Sequence, residues 1–174
     1  MEYIMKSGNL FLNDTLLVRI KSTFAGSEKK IFAADGELLM LTDICNLKAP
    51  LNERGNIRYR QYAMLDRNGK ECAVAKPDYA ESDDPAVIGW PICRMPRVDH
   101  AQICIGKKEY LLSMQNSQNY FLSEKQGKTV VQIMHRGLCG GWDIDAADDF
   151  APEIICAIFV FCRYIEQENE FLVV

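Results

Sequence analysis

Hydrophobic and polar positions alternate over short runs along most of the chain, and glycine turns separate these runs. The turns centre on Gly36, Gly69, Gly106 and Gly127, and the first two follow Asp and Asn. Glycine accepts the positive φ of a tight turn, and the flanking Val, Ile, Leu, Tyr and Phe suit strands, so each position predicts a β-hairpin. About a dozen strands follow from this spacing, which is typical of a β-sandwich or β-barrel.

Two polar segments interrupt the strand pattern. Residues 49–56 read APLNERGN, and residues 75–85 read AKPDYAESDDP, an acidic stretch with a proline near each end. Both are predicted to be solvated loops outside the sheet, because clusters of polar residues and proline are typical of connections.

The C-terminal part of the chain predicts one helix, at about residues 150–167. Asp148 and Asp149 are candidate N-terminal caps, and Pro152 suits the first turn, where its missing N–H costs nothing. From Ile154 to Cys162 no side chain is charged or strongly polar. A helix that is apolar on all sides is buried in protein or in a membrane. This run spans only about 14 Å and is too short for a bilayer, so protein must surround it.

In a chain that otherwise consists of strands, a closed barrel is the natural surround for such a helix. We therefore predict a mainly β (α+β) fold: a closed antiparallel β-barrel of about twelve strands around a buried hydrophobic C-terminal helix. A single domain covers residues 1–174. The helix residues expected in the core are Ile154, Ile155, Ala157, Ile158, Phe159, Phe161 and Cys162.

Net charge, cysteine spacing and the lengths of the apolar runs exclude some classes of function. The net charge of −4 and the pI near 5.3 argue against nucleic acid as a partner, since nucleic-acid binding needs a basic face. Seven cysteines without C-x-x-C spacing indicate free thiols in a reducing compartment. The N-terminus lacks the apolar core of a signal peptide, and no apolar run is long enough to span a membrane. A cytoplasmic protein, at most peripheral to a membrane, is expected.

Three stretches of the chain resemble the tubby C-terminal-like superfamily, which includes the tubby proteins, phospholipid scramblases and LURP-one-related proteins. Residues 141–166, 57–76 and 120–136 are similar to the helical ending and the paired hairpins of that group. The resemblance implies a barrel around a central helix. It also implies phosphoinositide binding through a basic patch, as in tubby proteins, or calcium-dependent membrane attachment, as in scramblases. This chain has no palmitoylation-type cysteine cluster, no added membrane-spanning stretch and no dense basic run.

A cationic patch is the predicted ligand site. Arg58 and Arg60 alternate in IRYRQY and would share one face of a strand, with Arg67 and Lys70 at the following turn. Arginine forms bidentate hydrogen bonds with phosphate oxygens, so these four residues are predicted to bind an anionic headgroup. The alternative is a solvated strand face whose charges only favour solubility.

Other residues that could act as metal ligands or catalysts have simpler structural explanations. Asp143, Asp145, Asp148 and Asp149 could supply oxygen ligands for calcium, but their spacing is not that of an EF-hand, and helix capping explains the last two. His135 and Cys139 are four residues apart, a spacing that brings side chains together on a helix but not on the strand and turn expected here. No cofactor and no metal site are predicted.

Three function classes remain after this reading. The first is a non-enzymatic binding module that recognises anionic phospholipid headgroups at a membrane surface. The alternative is a cytoplasmic protein-interaction or scaffold protein with no lipid role, which the acidic composition suits. A hydrolase or metal-dependent enzyme has only scattered Cys, His and Asp in its favour.

Overall fold

The computed structural model describes residues 1–24, 26–46, 60–79, 98–116 and 118–170. These residues form twelve strands, a 3₁₀ turn at Gly137–Cys139 and one α-helix. The strands are β1 (Glu2–Lys6), β2 (Asn9–Leu12), β3 (Thr15–Ser22), β4 (Lys29–Ala33), β5 (Leu38–Asn46), β6 (Arg60–Asp66), β7 (Glu71–Tyr79), β8 (Val98–Ile105), β9 (Lys108–Asn116), β10 (Asn119–Glu124), β11 (Thr129–His135) and β12 (Trp142–Ala146), and the helix is α1 (Pro152–Glu170).

The strands form one closed antiparallel barrel, which confirms the predicted fold class. Each strand pairs with its neighbours in chain order, and β1 pairs with β12, where Tyr3 lies opposite Ile144. Closure leaves no exposed sheet edge. The four predicted hairpin turns are present, and their central glycines all have positive φ.

Helix α1 lies inside the barrel. Its residues 155–162 are all buried, and it packs against β3, β4, β5, β6 and β8. On another side the ring of Phe159 lies 4.9 Å from the ring of Trp142 in β12. Contacts with strands on several sides of the barrel place the helix in the lumen, and Ile154, near its start, is half-buried. The apolar residues of α1 thus complete the core that the inward faces of the strands begin.

The helix gives the barrel two distinguishable ends. At the helix-start rim, where α1 begins, the ring of Phe150 lies 5.7 Å from that of Tyr110 in β9. At the helix-end rim, Asn169 exchanges two hydrogen bonds with the backbone of Val98, the first residue of β8. Because the strands alternate in direction, the four predicted hairpin turns lie at the helix-start rim. The connections β1–β2, β3–β4 and β11–β12 lie at the helix-end rim.

The predicted start of the helix was wrong in detail. The helix covers Pro152–Glu170 rather than 150–167, and Pro152 is its first residue. The N–H groups of Ile154 and Ile155 donate to the carbonyl of Ala151, and among the described residues no side chain of Asp148 or Asp149 accepts a hydrogen bond from the start of the helix. The carboxylate of Asp149 instead lies 3.4 Å from the ammonium of Lys108. Sequence spacing did not reveal this partner, because it lies 41 residues away.

The prediction that residues 75–85 form a loop was also wrong for its first part. Residues 75–79 belong to β7, where Lys76 lies opposite Gln102 and Pro77 opposite Ala101 of β8. Pairing with β8 overrides the weak strand preference of this polar segment. Residues 80–85 and the other predicted loop, 49–56, lie outside the described residues.

Candidate functional site

The structure does not bring the predicted headgroup residues together. Arg60 is the first residue of β6 at the helix-end rim, whereas Arg67 and Lys70 lie in the turn at the helix-start rim. The strand between them has 7 residues and is roughly 20 Å long. Arg58 lies outside the described residues.

Arg60 has a structural partner in the last turn of the helix. Its Nη1 donates a hydrogen bond to Oε1 of Glu168 at 3.0 Å. The Glu168 side chain is only 3% exposed, whereas that of Arg60 is 36% exposed. An unpaired carboxylate at that depth would be costly, so Arg60 neutralises it and connects α1 to β6. Its charge is largely committed to that interaction.

Arg67 and Lys70 belong to exposed turns. The guanidinium of Arg67 lies 2.6 Å from the carboxylate of Glu37 in the neighbouring β4–β5 turn. Both side chains are more than half exposed, so the pair contributes little to stability. The backbone N–H of Lys70 donates to the carboxylate of Asp66, and this hydrogen bond lowers the pKa of Asp66. No acidic side chain pairs with the Lys70 ammonium among the described residues.

A different cationic surface, which the sequence analysis missed, lies on β1, β3 and β4. Arg19 and Lys21 alternate along β3 and are exposed, while Val18 before them and Ile20 between them pack towards the core. The same two-residue period that suggested Arg58 and Arg60 therefore does place two cations on one outer face here. We call the set Lys6, Arg19, Lys21 and Lys30 the β1–β4 basic surface.

Strand register brings the members of this surface together. Lys21 lies directly opposite Lys30, and Asn9 lies between Lys6 and Arg19 in one cross-strand row. Side chains directly opposite on neighbouring strands have Cβ atoms about 5 Å apart, where like charges destabilise the sheet. The register therefore concentrates positive charge instead of dispersing it.

Little negative charge compensates this surface. Lys30 has one acidic neighbour, Glu28, at 3.7 Å, and both side chains are well exposed. The ammonium of Lys21 lies 5.2 Å from the ring centroid of Phe32, a cation–π contact. In the part of the chain that the structure describes, Lys6, Arg19 and Lys21 form no ion pair. Their charges are available to an external anion.

The acidic stretch before the helix does not gather as a metal site. Asp143 pairs with Arg136 at 3.2 Å, and Asp149 pairs with Lys108. Across the described ranges, no three His, Cys, Asp or Glu side chains are grouped as ligands for a metal ion. Asp143 and Asp149 are thus held in separate ion pairs, whereas Asp145 and Asp148 both lie 3.5 Å from the ammonium of Met1.

The two histidines occupy unrelated positions. The ring of His135 packs edge-to-face on Trp142 at 5.3 Å, and its Nδ1 accepts a hydrogen bond from the N–H of Gly137. Cys139 is exposed in the following 3₁₀ turn. His100 lies between the carboxylates of Asp99 and Asp78, with Nε2 2.9 Å from Asp78. Burial alone would lower the pKa of His100, but these two carboxylates raise it above its usual value.

The described cysteines are all free, as the absence of paired spacings predicted. Cys156 and Cys162 are buried in α1, and burial raises the pKa of both thiols. Cys104 and Cys139 are exposed, so packing does not account for every cysteine of the chain.

Comparison of the chain with protein-family models, with curated proteins and with solved structures finds no match. Among the described residues, no helix is both long enough and apolar enough to cross a bilayer. Because a fold does not carry a function with it, the geometry and charge of the surface are what bear on the function of this protein.

Proposed function

We propose that this protein is a non-enzymatic, tubby-like binding module that attaches peripherally to membrane surfaces rich in anionic phospholipid. The observation that carries the proposal is the β1–β4 basic surface, where Lys30 has one exposed acidic neighbour and the other three cations form no ion pair among the described residues. The tubby-like assignment draws its support from the twelve-strand closed barrel around a C-terminal helix, which is the architecture that the sequence resemblance implies.

Electrostatic attraction would both draw this surface to an anionic leaflet and orient the barrel on it. An anionic leaflet attracts a nearby Lys or Arg with about 1 kcal/mol each. The whole chain carries a net charge of −4, so most of its surface is not attracted to such a leaflet. A local group of four cations on an acidic protein therefore orients the barrel, with β1, β3 and β4 facing the lipid.

The like-charged pair adds a second argument. Lys21 and Lys30 face each other across the β3–β4 ladder, an arrangement that disfavours folding slightly. Folding itself gives no reason for this arrangement. Binding to a phosphate-rich surface does, because each ammonium can then donate hydrogen bonds to phosphate oxygens.

Co-sedimentation with vesicles tests the proposal. We would compare phosphatidylcholine vesicles with vesicles that also contain phosphatidylserine or a phosphoinositide, at low and at moderate salt. The native chain is expected to bind only the anionic vesicles and to release as salt screens the charges. The double variant Lys21→Glu/Lys30→Glu is expected to bind on the order of 100-fold more weakly.

The matched control reverses the same number of charges at the opposite rim. Arg67→Glu/Lys70→Glu changes the net charge equally and affects only exposed turn residues. Equal loss of binding in both variants would show that net charge alone governs attachment. Loss of vesicle binding in the control variant alone would place the binding site at the helix-start rim. Failure of the native chain to bind any vesicle would overturn the proposal and favour the protein-interaction alternative.

A further inference from the structure

Two apolar side chains at the helix-end rim are fully exposed to solvent. Phe24, in the β3–β4 connection, is 109% exposed, and Leu138, in the β11–β12 connection, is 108% exposed. The other large apolar side chains that are exposed in the described ranges reach at most 48%. Because both side chains are fully exposed, neither contributes apolar burial to the stability of the fold, and the whole apolar area of each is available to a binding partner.

Backbone hydrogen bonds close the base of each connection. In the β3–β4 connection, the N–H and the hydroxyl of Thr23 both donate to the carbonyl of Glu28. In the β11–β12 connection, the N–H of Arg136 donates to the carbonyl of Gly141 at 3.0 Å. Each apolar side chain therefore projects from a tip whose base is tied to the barrel.

Glycine conformation explains the shape of the second tip. Gly141 has φ +85°, and a Cβ there would lie 2.6 Å from the carbonyl oxygen of Met5. Only glycine permits this close approach to β1, which also brings the connection against Lys6. The Leu138 tip is thereby placed beside one end of the β1–β4 basic surface.

The two tips flank the basic surface. Strands β12, β1, β2 and β3 separate the centres of the two connections, a distance of roughly 20 Å along the circumference at ordinary strand spacing. Lys21 and Lys30 lie next to the Phe24 connection, and Lys6 lies next to the Leu138 connection. Apolar tips with cations behind them match the interface of an anionic bilayer, where headgroup phosphates lie above the acyl chains.

We propose that Phe24 and Leu138 insert together into the acyl boundary of an anionic phospholipid bilayer, so that the barrel meets the lipid with its helix-end rim and the adjoining β1–β4 basic surface. This inference rests on the proposed lipid-binding function and adds its mode: electrostatic attraction by the basic surface, then apolar anchoring at two points. Two projecting tips that are separated by a charged face suit a fluid bilayer better than a single apolar groove of a protein partner.

Serine variants of the two tips distinguish apolar anchoring from electrostatic attraction. Phe24→Ser and Leu138→Ser are each expected to weaken binding to phosphatidylcholine–phosphatidylserine vesicles by roughly tenfold or more, and the double variant by more than either. Leu111→Ser is the matched control, because Leu111 is a 39% exposed apolar residue on the outer wall of β9. It is expected to bind like the native chain, and thermal unfolding of each variant checks that the barrel is intact.

Insertion has a direct readout as well. Phe24→Trp places an indole at one tip, and vesicles with brominated acyl chains are expected to quench its fluorescence beyond the quenching of the native tryptophans. Native binding that is lost in Lys21→Glu/Lys30→Glu but unchanged in Phe24→Ser/Leu138→Ser would overturn anchoring and leave the lipid-binding function standing. No binding by the native chain would overturn both. Absence of additional quenching at Phe24→Trp in a bound protein would also contradict insertion.

Discussion

The lumen of the barrel and the β1–β4 basic surface differ in how they treat polar and charged side chains. In the lumen, polar groups near the end of the helix have partners: the Tyr164 hydroxyl lies 3.1 Å from that of Thr42, and Glu168 pairs with Arg60. On the basic surface, Lys21 and Lys30 face each other as like charges. The first region is explained by the stability of the fold, and the second is not.

This difference separates residues that fold the protein from residues that are available for binding. Arg60 was predicted to bind a headgroup, yet its guanidinium neutralises a buried carboxylate. Arg19 and Lys21 were not predicted, yet they form no ion pair among the described residues. A cation is a better candidate for binding when the fold gives it no partner than when it merely lies on a strand. Changes in the lumen should therefore lower stability, and changes on the basic surface should lower binding without lowering stability.

The largest effect is expected for Ala157→Glu. Ala157 is fully buried in α1, so a glutamate there would place an unpaired charge in the core and prevent folding. Circular dichroism and urea unfolding would show the loss of a cooperative transition. Gln167→Glu adds the same charge at an exposed position of the same helix and should fold normally. A cooperatively folded Ala157→Glu protein would contradict the position of the helix in the lumen.

The Arg60–Glu168 pair should respond asymmetrically. Arg60→Met leaves the 3% exposed Glu168 without its partner and is expected to lower the free energy of unfolding by about 2 kcal/mol. Glu168→Gln leaves the more exposed Arg60, which water can solvate, so its cost should be smaller. Urea unfolding of both variants and of the double variant gives the coupling energy. Equal costs would show that Glu168 is not buried as the structure indicates.

Removal of the Tyr164 hydroxyl should have a smaller effect. This hydroxyl donates to the carbonyl of Ser27 at 2.7 Å and lies within hydrogen-bond distance of the buried Thr42. Tyr164→Phe is expected to cost about 1 kcal/mol of unfolding free energy while it preserves the aromatic packing against Tyr62. Thr42→Val and the double variant complete the cycle. Strict additivity of the two single changes would rule out an interaction between the hydroxyls.

The smallest change in stability, with the opposite sign, is expected for Lys21→Glu. The substitution replaces a like-charged cross-strand pair with an opposite-charged one but loses the cation–π contact with Phe32, so the net gain in the free energy of unfolding should stay below about 0.5 kcal/mol. Binding to anionic vesicles should fall at the same time. Lys76→Glu, at an exposed position of β7, makes the same charge change away from the surface. If Lys21→Glu destabilised the barrel, the distinction between the two regions would fail.

Local sequence was sufficient for the hairpin turns and for the existence of the helix. A glycine with positive φ has few substitutes, so Gly36, Gly69, Gly106 and Gly127 mark turns wherever the strands later pair. The uninterrupted apolar run from Ile154 to Cys162 required a surround of protein on every side, and this requirement led to the closed barrel.

Tertiary structure alone decided which charges are paired. Arg60 and Glu168 lie 108 residues apart in the chain, and Lys21 faces Lys30 only because of the β3–β4 register. The VRIKS segment carried the same alternating signal as IRYRQY, so periodicity gave no means of ranking the two. An ion pair depends on distance in space, which the closure of the barrel sets. A strand period reports only which side chains share a face.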